Sequence, residues 1–309
     1  MKIAVIDIGT NTFKLMICRV NEHGNFVLID KAKIPVKLGE GGFPDGNIAE
    51  TAFDRGIQSL NKLQQKIVRF QVDKTLAFAT SAIRSSKNGK EFVRKVKEST
   101  GIQIQVIDGD REAELIYYGV RKALDIGSEN ALIMDIGGGS TEFILANSHQ
   151  IWWKHSFDLG SSRLIREVNP SDPITKEEIR HLKEHLQKEL SMLWAACEIY
   201  PVNIMIGSSG SFDSLAEMIW HRFHTEENPL VKTEYHFNLE HFDAIYKSLI
   251  NSSIEKRFKM KGLAPMRVEM IVVAVIMIRF VLKQLKLSKL TLSTYSLKEG
   301  ILFDYLQKK

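Results

Sequence analysis

Apolar positions along the chain fall into two textures, and each texture occurs twice. Short runs with strand length and β-branched content come first: "KIAVIDIG", "TFKLMICRV", "NFVLIDKAKIPV", "TLAFATSA" and "IQIQVID". Between the third and fourth, Phe53, Ile57, Leu60, Leu63 and Ile67 recur at three and four residues, which predicts one face of a helix. A second series begins at "ALIMDIGGG" and continues through "TEFILAN" and "IWWKHSFDLG". A long helix is predicted from about Thr175, where Thr175 and Glu178 have capping-box spacing. "VNIMIG" then reads as a strand, followed by a helix from about Ser211 capped by Ser209 or Ser211. The apolar run "MIVVAVIMI", Met270 to Ile278, lies between Glu269 and Arg279. A membrane span needs about 20 such residues, so this run predicts a buried core helix. Trp152 and Trp153 alternate on a strand, so at most one is expected to face the core. Both halves are mixed α/β.

The two series share more than texture. "VIDIGTNTF" from Val5 and "IMDIGGGSTEF" from Ile133 each run from an apolar strand through Asp-Ile-Gly and a small polar turn into a second strand. Asp7 and Asp135 are 128 residues apart, a domain-sized period. The expected organisation is two similar domains facing each other across a cleft, residues 1–124 and 125–297.

These turns suggest phosphate. Glycines let the backbone approach a ligand closely, and successive N–H groups can converge on anionic oxygens. Gly137, Gly138 and Gly139 supply the backbone, while Thr10, Asn11 and Thr12, and Ser140 and Thr141, add side-chain donors. An aspartate at each strand end would repel bare phosphate, so Asp7 and Asp135 imply a bridging divalent cation such as Mg²⁺. The alternative is that each aspartate only caps its own turn. Neither turn has the GxxxxGK[ST] or GxGxxG spacing. A strand-turn-strand phosphate clip resembles the actin, hexokinase and glycerol kinase superfold. In "GSSGS", Gly207, Ser208, Ser209 and Gly210 follow a strand and open a helix, which places them along the cleft, where a nucleotide phosphate could meet the helix start.

With 309 residues, 44% hydrophobic and 26% charged, the composition is that of a folded chain of about two domains. Cys18 and Cys197 form no CxxC pair, which fits a reducing cytoplasm and excludes a cysteine-rich zinc site. Asp7 interrupts what would be the apolar core of a leader, so secretion is not expected. The net charge of +5 is uneven: from Lys256 onward 12 basic residues face three acidic ones, leaving the preceding residues at −4. That basic segment is either a solvated surface or a track for a polyanion.

Six stretches then point to one family: "ATSAIR" ending at Arg84, "DGDREAELIYYGV" from Asp108, "DIGGGSTEF", "DLGSSRL", "IGSSGSF" and "STYSLKEGIL". With "VKLGEGG" and "GNIAETAFDRGIQSL", the chain resembles the exopolyphosphatase / guanosine pentaphosphate phosphatase (Ppx/GppA) family over nearly its whole length. The resemblance implies Glu112 as the base that activates water, Glu142 as a catalytic or metal-linked carboxylate, and Arg84 as a grip on phosphate. It also implies Mg²⁺ or Mn²⁺ with Asp135, Glu142 and Asp7 as ligands, a helix over 298–309 packing back on the first domain, and a homodimer. Three positions depart from the usual pattern: Arg111 stands where an acidic residue often precedes the catalytic Glu, Glu269 where Asp is usual, and Lys298 where Arg is usual. The longer relatives' helical domains are not expected at this length, which leaves the basic segment for the distal chain of a polymer.

The leading expectation is metal-dependent release of terminal phosphate from inorganic polyphosphate. The alternatives are hydrolysis of guanosine pentaphosphate (pppGpp), a non-catalytic sensor of either anion, and a kinase. Carboxylates in the cleft argue against a sensor, and no acceptor pocket is indicated for a kinase. "HLKEH", His181 to His185, matches a zinc-peptidase spacing, but its Lys and Glu neighbours read as a solvated helix flank. Nothing resembles a nucleic-acid-binding motif, and no membrane partner is expected.

Overall fold

Lys2–Ile8 (β1) is buried along almost its whole length, as "KIAVIDI" requires: a strand covered on both faces has no polar alternation. The computed structural model describes residues 1–41, 46–224 and 228–308. Gly42 of "VKLGEGG" and Lys309 of the expected final helix lie outside the described residues. On one edge β1 pairs antiparallel with Thr12–Val20 (β2), which pairs antiparallel with Phe26–Pro35 (β3). The predicted helix is Glu50–Arg69 (α1), with Phe53, Leu60, Leu63 and Ile67 buried. On its other edge β1 runs parallel to Lys74–Ala79 (β4). Ser81–Ser85 (α2) and Gly89–Thr100 (α3) follow, then Ile104–Val106 (β5), parallel to β4, and Gly109–Ala123 (α4). The sheet order is β3-β2-β1-β4-β5.

The second series repeats that order. Ala131–Ile136 (β6), Thr141–Ala146 (β7) and Ile151–Phe157 (β8) form the antiparallel meander. Ser161–Val168 (α5), Lys176–Glu189 (α6) and Ser191–Ile199 (α7) precede Ile204–Ser208 (β9), which runs parallel to β6. Gly210–Phe223 (α8), Glu234–His236 (β10), Leu239–Ile250 (α9), Ile254–Phe258 (α10), Ile271–Gln284 (α11) and Leu290–Ser293 (β11) complete the series. The six-stranded order is β10-β11-β9-β6-β7-β8, with β10 the one addition to the five-strand plan. Leu297–Gln307 forms the last helix, α12.

The chain makes two compact units, Met1–Tyr118 with the residues from Leu297 onward, and Gly119–Ser296. In the first, α1 and α3 meet through an edge-on Phe53–Phe92 pair with centroids 5.1 Å apart, and α12 packs on β1. In the second, ten residues of α11 are buried, which is why "MIVVAVIMI" is apolar all round. Among the described residues no helix is long and apolar enough to cross a membrane. Trp153 packs against the second core while Trp152 is exposed and stacks on Tyr200.

Two expectations change. The long helix from Thr175 breaks at Leu190, so its apolar stripe is shared between α6 and α7. Ser209 takes the N-cap position of α8 without a side-chain cap: it lies at φ +69° and its Oγ donates to Ile136 O at 3.2 Å, while Ser211 is inside the helix.

The capping box of α6 is present. Thr175 Oγ1 accepts from Glu178 N at 3.2 Å, and Glu178 Oε2 accepts from Thr175 N at 2.7 Å. A hydrogen bond from the Ser171 hydroxyl, reinforced by the Thr175 and Ser171 amides, pulls the Glu178 carboxyl from 4.5 down to about 2. A depressed carboxyl contributes stability that is fully present above its ordinary value and is lost as pH falls through the folded one. The start of α6 should therefore loosen between pH 4.5 and about 2. Carbon NMR titration of Glu178 checks this; a midpoint at the ordinary carboxylate value would refute it.

Candidate active site

At the end of β1, Gly9 N donates to Thr12 O at 3.2 Å and closes a four-residue turn with Thr10 and Asn11 at its tip. The chain leaving β3 fixes that tip, because Val36 N and Lys37 N donate to Asn11 O at 2.9 and 3.0 Å. Thr10 and Thr12 are buried and Asn11 is half-buried. Asp7 is paired across the sheet with Lys14, whose Nζ is 3.2 Å from Asp7 Oδ2. Its charge is thus met within its own sheet.

The sister turn is closed the same way, by Gly137 N donating to Ser140 O at 3.0 Å. Here the start of α5 takes up the glycine carbonyls. Ser161 N donates to Gly137 O (3.0 Å), Ser162 N and Arg163 N to Gly138 O (3.0 and 3.2 Å), and Arg163 Nε to Gly139 O (3.1 Å). Among the described residues the amides of Gly138, Gly139 and Ser140 donate to no protein acceptor. Successive amides without a protein acceptor in a glycine turn are available to anionic oxygens. Gly160 lies against the back of this turn, where a Cβ would sit 2.4 Å from backbone atoms of Gly138 and Gly139. Thr141 is fully buried and its hydroxyl donates to Leu159 O at 2.9 Å, so its proton is committed to holding the turn.

Asp135 and Glu142 are direct cross-strand partners on β6 and β7, 7% and 1% exposed. Their outer neighbours in register are Ser208 on β9 and Ser156 on β8. Ser208 Oγ donates to Asp135 Oδ2 at 2.8 Å, and Ser156 Oγ donates to Glu142 Oε1 at 2.7 Å. Two adjacent carboxylates in a buried row call for a countercharge. The donor set fits Mg²⁺, which binds through one or two carboxylates and completes its shell with water and phosphate oxygens. Among the described residues no group of three or more His, Cys, Asp or Glu side chains could hold a metal by itself. Carrying the 128-residue offset forward, the position of Lys14 in the first turn is that of Glu142 in the second. The duplicated frame therefore holds an ion pair in one unit and a carboxylate pair in the other.

Glu112 lies in the first turn of α4, where the helix dipole favours a carboxylate, and is 6% exposed. Arg84 Nη1, from α2, donates to Glu112 Oε2 at 2.9 Å and to Ile107 O at 3.0 Å. The structure thus brings together the residues expected as base and as phosphate grip. Arg111 turns elsewhere, to Glu114 Oε2 (2.7 Å) and Asp304 Oδ2 (2.5 Å), and so ties α4 to α12. Lys298 pairs with Glu299 at 2.8 Å, and Glu269 is exposed.

In "GSSGS", a Cβ on Gly207 would meet the Phe212 ring at 2.0 Å, and one on Gly210 the Arg267 guanidinium at 2.1 Å. Arg267 is 7% exposed, and its Nε has no hydrogen-bond partner among the described residues. Burial pushes this guanidinium below its usual range, and the charges of Asp213 and Asp135 act to restore it. Sequence reasoning missed Lys14, Ser156, Arg163 and Arg267 as parts of these sites. Only Lys14 had a signal, the 128-residue offset from Glu142.

Arg257 of the basic segment is also buried, held by Asp172 at 2.7 Å, while Lys256, Lys259, Lys261, Lys283, Lys286 and Lys289 are exposed. In "HLKEH", His181 lies 3.1 Å from Glu177 and His185 3.7 Å from Glu167, on the polar flank of α6.

Known proteins share this arrangement. A crystal structure of an exopolyphosphatase from Cytophaga hutchinsonii is 37% identical, covers 100% of this chain and 98% of its own, and superposes with a TM-score of 0.97. The Aquifex aeolicus Ppx/GppA family member is 25% identical over 100% and 98%, with a TM-score of 0.82. Among sequence relatives, exopolyphosphatase 1 of Mycobacterium leprae is 25% identical over 311 residues, 100% of this chain and 91% of that protein. Exopolyphosphatase 1 of Mycobacterium bovis is 27% identical over 219 residues, and the match spans 64% of that relative's length. The Ppx/GppA phosphatase family model matches residues 16–309. On that match and the two actin-like α/β units, the chain belongs to the Ppx/GppA phosphatase family.

Proposed function

We propose that the protein is an exopolyphosphatase, a phosphoanhydride hydrolase that releases terminal orthophosphate from inorganic polyphosphate with Mg²⁺ or Mn²⁺. The observation that carries the hydrolase reading is Glu112, a buried carboxylate at a helix start held at 2.9 Å by Arg84. Polyphosphate is favoured because two relatives aligned over the whole chain, from Mycobacterium leprae and Cytophaga hutchinsonii, are named exopolyphosphatases. The domains in this proposal are 1–124 with the helix over 298–309, and 125–297. Two buried thiols, raised by burial to about 11 at Cys18 and about 12 at Cys197, are inert and suit a cytoplasmic protein. A homodimer is part of the proposal, and sedimentation tests it.

Phosphoryl transfer asks the protein mainly for alignment and charge relief. Glu112 takes a proton from a water whose oxygen attacks the terminal phosphorus. The P–O–P bond breaks, orthophosphate leaves, and the shortened polyphosphate carries the bridging oxygen. Arg84 holds the Glu112 carboxylate in place through the 2.9 Å hydrogen bond and adds positive charge for the phosphoryl oxygens. Each unit brings its own phosphate donors: Thr10, Asn11 and Thr12 in the first, and the amides of Gly138, Gly139 and Ser140 in the second. Asp135 and Glu142 would hold the metal, which would relieve charge on the phosphoryl oxygens; Asp7, the third expected ligand, is paired with Lys14 within the first unit. Gly207 to Gly210, backed by Arg267, line the approach.

The test is phosphate release from polyphosphates of defined length and from pppGpp, each with and without Mg²⁺. Metal-dependent release from polyphosphate is expected. Release from pppGpp alone would reassign the substrate, and release from neither would remove the hydrolase assignment.

A further inference from the structure

We propose that Ser156 and Ser208 are positioning residues that hold Glu142 and Asp135 as a preformed two-carboxylate seat for the divalent cation. This rests on the metal-dependent reading above. Four residues stand in register across β9, β6, β7 and β8: Ser208, Asp135, Glu142 and Ser156. Like charges directly opposite on neighbouring strands destabilise a sheet. The two serine hydroxyls are placed to orient this pair.

Each serine has one hydroxyl proton, and both protons have a determined destination. Ser156 Oγ donates to Glu142 Oε1 at 2.7 Å. Ser208 Oγ has two acceptors in reach, Asp135 Oδ2 at 2.8 Å and Tyr295 O at 3.4 Å. The bond to Asp135 is the shorter of the two and is to a carboxylate oxygen, so it takes the Ser208 proton. Since β9 and β8 flank the β6/β7 pair, the hydroxyls approach from the two outer sides. A donor on one oxygen of each carboxylate fixes its orientation. The side between the two carboxylates is then where a cation is shared.

None of this is visible in the glycine-turn motif, which contains neither serine. Outer partners of metal-binding carboxylates commonly contribute 10- to 100-fold in metal affinity. The test is Mn²⁺ binding to the full chain without substrate, followed by electron paramagnetic resonance. Ser156→Ala and Ser208→Ala are each expected to weaken Mn²⁺ by about tenfold or more, to raise the metal concentration for half-maximal phosphate release in parallel, and to have a smaller effect on kcat at saturating metal. Ser156→Thr keeps the hydroxyl on a strand and should restore most of the affinity. Wild-type Mn²⁺ affinity in both alanine variants would overturn the proposal while leaving the metal reading intact. Absence of Mn²⁺ binding to the wild type, with release unaffected by metal, would remove both.

Discussion

Glu112→Gln lowers kcat for phosphate release by roughly 10²- to 10⁴-fold, the usual contribution of a general base, and leaves the melting temperature nearly unchanged. The amide keeps the size of the carboxylate and can still accept from Arg84, so the 2.9 Å contact and the first turn of α4 survive. What it cannot do is take a proton from water. Arg84 matters to the size of the effect, because a charge-assisted hydrogen bond from its guanidinium fixes one carboxylate oxygen in place. Phosphate release measured beside a thermal melt separates the two quantities. Near wild-type turnover in a folded variant would remove Glu112 from the base role.

Gly160→Ala reduces kcat/KM by about 10²-fold, the cost of displacing positioned groups by around 1 Å, and destabilises its unit by about 1–3 kcal/mol through overpacking. The methyl would lie 2.4 Å from backbone atoms of Gly138 and Gly139, a separation no real Cβ tolerates. Backbone on one side and the start of α5 on the other leave no flexible side chain to yield. The turn that presents the Gly138, Gly139 and Ser140 amides must therefore move. Kinetics with polyphosphate and a melt of the variant check both parts; unchanged kcat/KM would mean that the turn does not hold substrate.

Much of the architecture was legible in the chain. Periodicity separates strands from helices because burial repeats at 2 and 3.6 residues. Asp-Ile-Gly repeated at 128 residues shows that one strand-turn-strand unit occurs twice, and both turns are closed by the same glycine-to-carbonyl bond. The start of α6 was readable because a capping box lies within four residues. The break at Leu190 was not, since Leu182, Leu186, Leu190 and Leu193 continue one apolar stripe in sequence while the backbone divides it between two helices. That Ser209 holds the N-cap position without a side-chain cap was not readable either: the tight passage from β9 into α8 sets it at φ +69° and turns its hydroxyl to Ile136.

By itself, the sequence determined the α/β class, the duplication, the glycine turns and the chemical types needed to handle phosphate, because each is written in contiguous residues. Tertiary structure decided the partners. Strand register places Lys14 beside Asp7 and Glu142 beside Asp135, so one of two similar turns carries a neutral ion pair and the other two carboxylates. Ser156 reaches Glu142, and Arg267 lies under Gly210, only because strands and helices distant in sequence are neighbours in a sheet or layer. Arg111, next to the expected base in sequence, points away to Asp304, because consecutive helical residues project about 100° apart. Local pattern fixes which groups exist, and packing of remote segments fixes which charges meet.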